Sequence, residues 1–271
     1  MIKQGASKKD QEMQRTAIVT GAARPWGLGR ATAREMAQRG YAVGIIDIRD
    51  DWGREAAADI AAETGQRVEY IRADISVRDE VTAAADRMTT LFGRIDALFN
   101  VAAVGGSAKT ADFTDEQFHR VMAINLLGPM LCAQAVIPAM TRQKYGRIVN
   151  VASSSPYMPP PVSQSSVALY MASKGGLIAW TKSAAVELAP LGIVTSVVAV
   201  GGFSTAMGAE EGPSPEVDEF MFKQIHRDLL PWGRLATVAE IAEVLADVGC
   251  ASNHLMLGAT IHASGGRVMP L

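Results

Sequence analysis

Two cysteines and four histidines are all that this 271-residue chain offers as disulfide partners or soft metal ligands. Cys132 and Cys250 share no short spacing with each other or with a histidine, which argues against a disulfide framework or a zinc site and for reduced thiols in a cytoplasmic setting. A charge excess of either sign is also lacking. Against 26 Lys and Arg stand 28 Asp and Glu, a formal charge of −2, and no basic run gathers to track a phosphate backbone, so nucleic acid is set aside as a partner. Long uninterrupted apolar runs are missing too. The most membrane-like stretch, Val121 to Met140, is broken by Asn125, Gly128-Pro129, Gln134 and Pro138, and reads as a buried helix, so no membrane span is expected. Met1 to Arg15 is polar with no apolar core, which predicts a flexible tail and not a secretory signal. No G-x-S-x-G elbow is present, and no motif links a histidine to a nucleophile, which leaves a hydrolase without support.

What is present is a composition of 48% hydrophobic and 20% charged residues, ordinary for a globular domain, with no repeat of fixed period. Short apolar runs at 16–20, 42–47, 67–73, 97–101, 147–152, 193–200 and 259–263 read as seven strands. Between them, 28–39, 53–63, 78–92, 115–140, 167–188 and 238–246 carry helical periodicity. Nearly all-apolar strands alternating with helices predict an α/β fold: a doubly wound, Rossmann-like parallel sheet with helices on both faces, forming one domain over 16–271. The Gly- and Pro-rich interruption at about 202–232 reads as a substrate lid.

The first strand runs through Thr20-Gly21-Ala22-Ala23-Arg24-Pro25-Trp26-Gly27-Leu28-Gly29 into a helix. Glycines there allow a tight turn and let a pyrophosphate reach the helix N-terminus, where free N–H groups favour an anion. The second strand ends at Asp47, whose carboxylate can accept from a ribose diol and would repel a 2′-phosphate, so NAD is favoured over NADP. Arg24 and Arg49 pull the other way, since either guanidinium could pair with that phosphate. Asp74, followed by Ile75, either holds an adenine amino group with Ile75 on the ring or caps a turn.

Tyr170 and Lys174 stand four apart at the start of a helix, on one face. The ammonium would pull the phenol pKa down toward a general acid or base, and could also donate to the nicotinamide ribose. Upstream, Ser153-Ser154-Ser155 ends a strand, either as an ordinary turn or as a hydroxyl donor to a carbonyl oxygen gaining charge. Asn125, inside an apolar helix, is either a structural hydrogen-bond hub or a relay member.

With these motifs in place the chain resembles the short-chain dehydrogenase/reductase family from about Thr16 to about Gly266. The resemblance implies Asn125, Ser153, Tyr170 and Lys174 as a catalytic tetrad, with Tyr170 and Lys174 also meeting the cofactor. It implies a cofactor site of Gly21, Arg24, Gly27, Leu28 and Gly29 in the turn, Asp47 and Ile48, Asp74 and Ile75, Asn100-Val101-Ala102, and Gly201, Phe203 and Thr205 after the sixth strand. Ser155, Pro156, Met158, Pro161 and Met207 are expected to line a mainly apolar substrate pocket. The implied activity is an NAD(H)-dependent interconversion of a secondary alcohol and a ketone by hydride transfer, in a homotetramer or homodimer, without a metal.

Several departures from the family pattern bear on these expectations. The glycine turn has two extra residues, a spacing similar to that of divergent enoyl reductases. Their wider Tyr-to-Lys spacing is not matched, so enoyl reduction is set aside. Asn100-Val101-Ala102-Ala103 replaces N-N-A-G, and Val200-Gly201 replaces Pro-Gly. The interval from Ser153 to Tyr170 is longer than usual, which keeps Ser154 and Ser155 open as the carbonyl donor. An NADPH-dependent carbonyl or 3-oxoacyl reductase is the second reading. A non-catalytic NAD-binding sensor is the third.

Overall fold

The computed structural model describes residues 14 to 269 apart from 107, 159–166, 204–213, 215–229, 251 and 253. Seven parallel strands form its sheet: β1 (Thr16–Thr20), β2 (Ala42–Asp47), β3 (Val68–Arg72), β4 (Ala97–Asn100), β5 (Gly146–Ser153), β6 (Ile193–Val200) and β7 (Thr260–Ala263). The order across the sheet is β3-β2-β1-β4-β5-β6-β7. Strands β1, β2, β4, β5 and β6 are buried nearly throughout, which is why they read as continuous apolar runs and not as alternating patterns.

Helices cover both faces. On one lie α1 (Leu28–Gln38), α2 (Asp50–Thr64) and α7 (Val238–Cys250), packed through Met36, Ile60 and Leu245 against Val19, Phe99 and Val198. On the other lie α3 (Arg78–Phe92), α5 (Gly128–Gln143) and α6 (Ala168–Leu188), packed through Met88, Val136 and Ala184 against Ile18, Leu98 and Ile148. Acidic first turns, Asp50-Asp51 and Asp79-Glu80, complement the dipoles of α2 and α3, and Gly65 and Gly93 end these helices in the left-handed conformation.

Three expectations need correction. The single helix predicted over 115–140 is broken into α4 (Asp115–Met122), a π turn (Ala123–Leu127) and α5. Over its whole length, Asp115–Gln143, it is long and apolar enough to cross a bilayer, yet it packs along the sheet domain against α3 and α6. Arg15 does not belong to a loose tail, because its carbonyl accepts from Ala42 N at 2.8 Å and its guanidinium lies 5.2 Å from the Tyr145 ring. Helix α2 begins three residues earlier than expected, since Asp50 and Asp51 serve its first turn. Most of the expected lid at 202–232 lies outside the described residues, as do Pro161, Thr205 and Met207.

Candidate active site

Strand order reverses between β1 and β4, and in a doubly wound sheet the crevice outside the strand ends at such a point is where a ligand binds. The glycine turn occupies this position. Gly21 adopts φ +69°, and a Cβ on it would lie 2.6 Å from Ala102 Cα, so β1 and the segment after β4 approach closely because a side chain is missing. A Cβ on Gly29 would fall 2.2 Å from the carbonyl oxygen of Gly21, which makes glycine obligatory where the turn folds back on itself. Helix α1 then starts at Gly27 with no side-chain cap, leaving its first N–H groups to another acceptor.

Beside this turn, Asp47 closes β2. Its Oδ2 accepts from Ala23 N and its Oδ1 from Arg49 N, each at 3.0 Å, so both turns orient the carboxylate while each oxygen keeps a further lone pair. Ile48 next to it is 54% exposed, an apolar side chain on which a planar ring could rest. The indole Nε1 of Trp26 is buried in the turn without an acceptor among the described residues. An uncapped helix start, a carboxylate with acceptor capacity and a buried orphan donor fit the pyrophosphate and ribose of a dinucleotide.

The second half of the site stands at the ends of β4 and β5 and on α6. Ser153 is the last residue of β5, 7% exposed, and its Oγ lies 3.0 Å from Ser155 Oγ. Tyr170, in the first turn of α6, stands near enough to Ser153 for that hydroxyl to favour the ionised phenol. Of the three serines it is Ser153 that acts on the phenol, while its Oγ also donates to Ser155 Oγ and accepts from Ser155 N at 3.1 Å. Lys174, one turn further along α6, is 2% exposed and donates from Nζ to Val151 O at 2.8 Å, with Nζ 5.9 Å from the Tyr170 ring centre. Burial pushes its pKa down to about 8.

The phenol departs from expectation. Burial raises the Tyr170 pKa above the ordinary tyrosine value, and the Ser153 hydroxyl only partly opposes that. The Lys174 ammonium is itself desolvated and turned to a strand carbonyl. At neutral pH the phenol is thus a proton donor.

Residues 15–216 match the model of the short chain dehydrogenase family. The chain belongs to that family. Among relatives, a short-chain reductase, NovJ, of Streptomyces niveus is 33% identical over 253 residues, covering 93% of each chain. The 3-oxoacyl-[acyl-carrier-protein] reductase FabG of Staphylococcus aureus is 32% identical, covering 95% of this chain and all of that one. A cis-4-hydroxycyclohexanecarboxylate dehydrogenase of Sinomonas cyclohexanicum is 34% identical over 93% of this chain and 96% of its own. Among solved structures, an NAD+-bound xylitol dehydrogenase superposes with a TM-score of 0.81 at 28% identity, covering 94% of this chain and all of that one. The seven-stranded parallel sheet is the one such short-chain dehydrogenase neighbours share.

Other expected site residues of this short-chain dehydrogenase are placed differently. Ile75 is 5% exposed and packs against Gly128 of α5, where a Cβ would meet it at 2.7 Å, so it belongs to the core at this end of the sheet. Asp74 spends Oδ1 on Ser76 N and Oγ, at 2.8 and 2.6 Å, as a turn-forming carboxylate does. Asn100 donates from Nδ2 to Asn150 Oδ1 at 2.8 Å and Pro129 O at 3.3 Å, linking β4 to β5 and α5, while its buried Oδ1 has no partner among the described residues. After it, the N–H groups of Val101 and Ala102 are held by Thr20 Oγ1 at 3.1 and 3.3 Å. Leu28 is buried under the turn, and Phe203 packs on the α7 side of the core. A Cβ on Gly201 would come within 2.6 Å of Ser264 Cα, so its role is close packing of the segments after β6 and β7. Pro156 approaches Gly175 of α6, and Ser155 and Met158 follow β5 at the mouth of the site, both partly buried.

Asn125 sits in the π turn, fully buried. Its Oδ1 accepts from Val104 N at 2.8 Å, and its Nδ2 donates to Val104 O at 2.9 Å and Ser173 Oγ at 3.2 Å. It is a hub tying the loop after β4 to α6, and its partners do not include Lys174. Arg24 stacks on the indoles beside the turn: its Cζ lies 5.8 Å from the Trp26 ring and 5.7 Å from that of Trp52. Trp52 carries no signal in the sequence, because only the fold brings α2 against the glycine turn. Among the described residues no three His, Cys, Asp or Glu cluster as a metal site requires.

Proposed function

We propose that this short-chain dehydrogenase interconverts a secondary alcohol and a ketone using NAD(H), with Tyr170 as general acid and base. The observation that carries this reading is the Tyr170 phenol beside the Ser153 hydroxyl at the end of β5, one helical turn from a buried Lys174. Asp47, oriented by two backbone N–H groups, supports NAD over NADP.

When bound, the nicotinamide supplies or accepts the hydride. In the reducing direction the protonated phenol gives its proton to the substrate oxygen as the carbonyl carbon is reduced, and Ser153 Oγ holds that oxygen while charge develops. In the oxidising direction the phenol must first give up its own proton to solvent before its oxygen can take the alcohol proton, so that direction is favoured at high pH. Lys174 holds the cofactor side of the phenol. Asn125 keeps the loop after β4 in register with α6, so the site is preorganised. The likeness to a 3-oxoacyl-[acyl-carrier-protein] reductase supports the NADPH-dependent alternative. A sensor has no use for the phenol–serine pair. The reading includes a small, mainly apolar substrate and assembly into two or four copies, supported by the exposed Phe113 before α4, Phe118 in α4 and Leu127 in the π turn.

The test is titration of the protein with NADH and with NADPH by nicotinamide fluorescence, then absorbance at the cofactor band over a panel of secondary alcohols and ketones. Tighter NADH binding with turnover is expected. Tighter NADPH binding would transfer the reading to the alternative, and binding without turnover on any member would favour the sensor.

A further inference from the structure

Two backbone N–H groups aim the Asp47 carboxylate, and the peptide that carries it is held as well. Its carbonyl accepts from Ala73 N at 3.1 Å, the last bond of the β2–β3 ladder, and also from the phenol of Tyr70 at 3.1 Å. Tyr70 lies in β3 opposite Ile45, so its ring runs forward along the sheet to reach the end of β2. On the way it occupies the space that a side chain at position 53 of α2 would need. A Cβ on Gly53 would fall 2.1 Å from Tyr70 Cε2 and 2.5 Å from Cζ. Gly53 faces inward from a helix, where alanine is the better helix former, so the glycine there is explained by the room it leaves for the ring.

Packing alone would be met by phenylalanine, which fills the same space; what the tyrosine adds is the bond to the Asp47 peptide. Burial, helped by the Asp50 and Asp47 charges, pushes the phenol pKa up to about 12, so the hydroxyl remains a donor at any ordinary pH. Asp47 is thus fixed at both ends, its carboxylate oxygens by Ala23 N and Arg49 N and its carbonyl by Ala73 N and Tyr70 Oη. We infer that Tyr70 is a positioning residue of the cofactor site: its hydroxyl fixes the Asp47 peptide at the end of β2, and through it the direction in which the carboxylate meets the hydroxyls of the adenosine ribose. The inference deepens the NAD reading above and rests on it.

The experiment is equilibrium binding of NADH and of NADPH, read by nicotinamide fluorescence, to the wild type, Tyr70→Phe, Asp47→Ala and the double variant, with thermal midpoints recorded in parallel. Tyr70→Phe keeps the ring and loses one hydrogen bond, so NADH should bind roughly three- to tenfold more weakly, the range of a net hydrogen bond. NADPH, which gains nothing from the carboxylate, should change by less than about twofold. On Asp47→Ala the same substitution should leave NADH affinity unchanged, because the group that Tyr70 positions is gone. If Tyr70→Phe weakens both cofactors by one factor, or weakens NADH as much on Asp47→Ala as on the wild type, Tyr70 is only part of the scaffold and the inference fails; unchanged NADH affinity in Tyr70→Phe also overturns it. A wild type that prefers NADPH, or an Asp47→Ala protein that binds NADH as tightly as the wild type, overturns the NAD reading itself, and that result is visible without any Tyr70 variant.

Discussion

Replacing Lys174 by Met tests the electrostatics of the site through the stability of the fold. The ammonium is 2% exposed, and burial lowers its pKa from 10.5 to about 8. In the unfolded chain it would titrate near its ordinary value, so between those limits the unfolded state binds more protons and stability rises with pH. The cost of the buried charge is fully present below about pH 8 and vanishes above about pH 10.5. Each pKa unit is worth about 1.4 kcal/mol, so the full cost is roughly 3 kcal/mol, of which about 2.5 kcal/mol is recovered between pH 7 and 10. Met has similar length and no charge, and it loses the hydrogen bond to Val151 O, which offsets about 1 to 2 kcal/mol of the relief at pH 7. The expected result from urea denaturation followed by circular dichroism is a Lys174→Met protein at least as stable as wild type at pH 7. The wild type should close on it by about 2.5 kcal/mol as the pH is raised to 10. Parallel stability profiles would refute the argument, since they would mean that the ammonium is solvated or equally perturbed in the unfolded chain.

Tyr170→Phe removes the proton donor and little volume, so turnover should fall by at least about a hundredfold while NADH affinity in a fluorescence titration stays near wild type. Asp47→Ala should weaken NADH by roughly ten- to a hundredfold, the worth of charge-assisted ribose contacts, and leave NADPH much less affected; equal losses would remove Asp47 from the ribose. Gly29→Ala places a methyl 2.2 Å from Gly21 O and should cost about 3 kcal/mol in chemical denaturation together with loss of cofactor binding.

Much of the sheet was legible because its central strands are buried on both faces, and an all-apolar run of five to eight residues between helical patterns leaves few alternatives. Asp47 was legible for the same reason: it ends such a run at the right distance from the glycines. The π turn was not. Asn125 and Gly128-Pro129 interrupt the apolar stretch at that point, but they read equally as breaks in one buried helix; only the fold shows Asn125 bonded to Val104 and Ser173 from within a π turn. Ile75 misled because its position after a strand suits either a ring platform or a core contact, and only Gly128, which leaves room opposite it, decides. Asn100 is a polar residue at a strand end whose amide nitrogen only the fold shows to be taken by Asn150 and Pro129. The phenol's upward shift depends on desolvation, a property of the assembled site that spacing alone does not carry. Pairing of Trp26 with Trp52 crosses 26 residues and needed the fold.

The strand order also dictates how the chain meets the ribosome. Strand β1 is translated first yet lies inside the sheet, bonded to β2 on one side and to β4 on the other, with Ala17 opposite Ala97. Its second partner is therefore synthesised about 80 residues later, which at 5–20 residues per second is roughly 4 to 16 s. Throughout that interval a strand with an apolar Ala-Ile-Val centre presents one bare edge to every other nascent chain nearby. Delay between the third strand and the fourth, through slow codons or a stalled ribosome, is thus the moment at which this protein is most exposed to aggregation, and the point where a chaperone would do most for its yield.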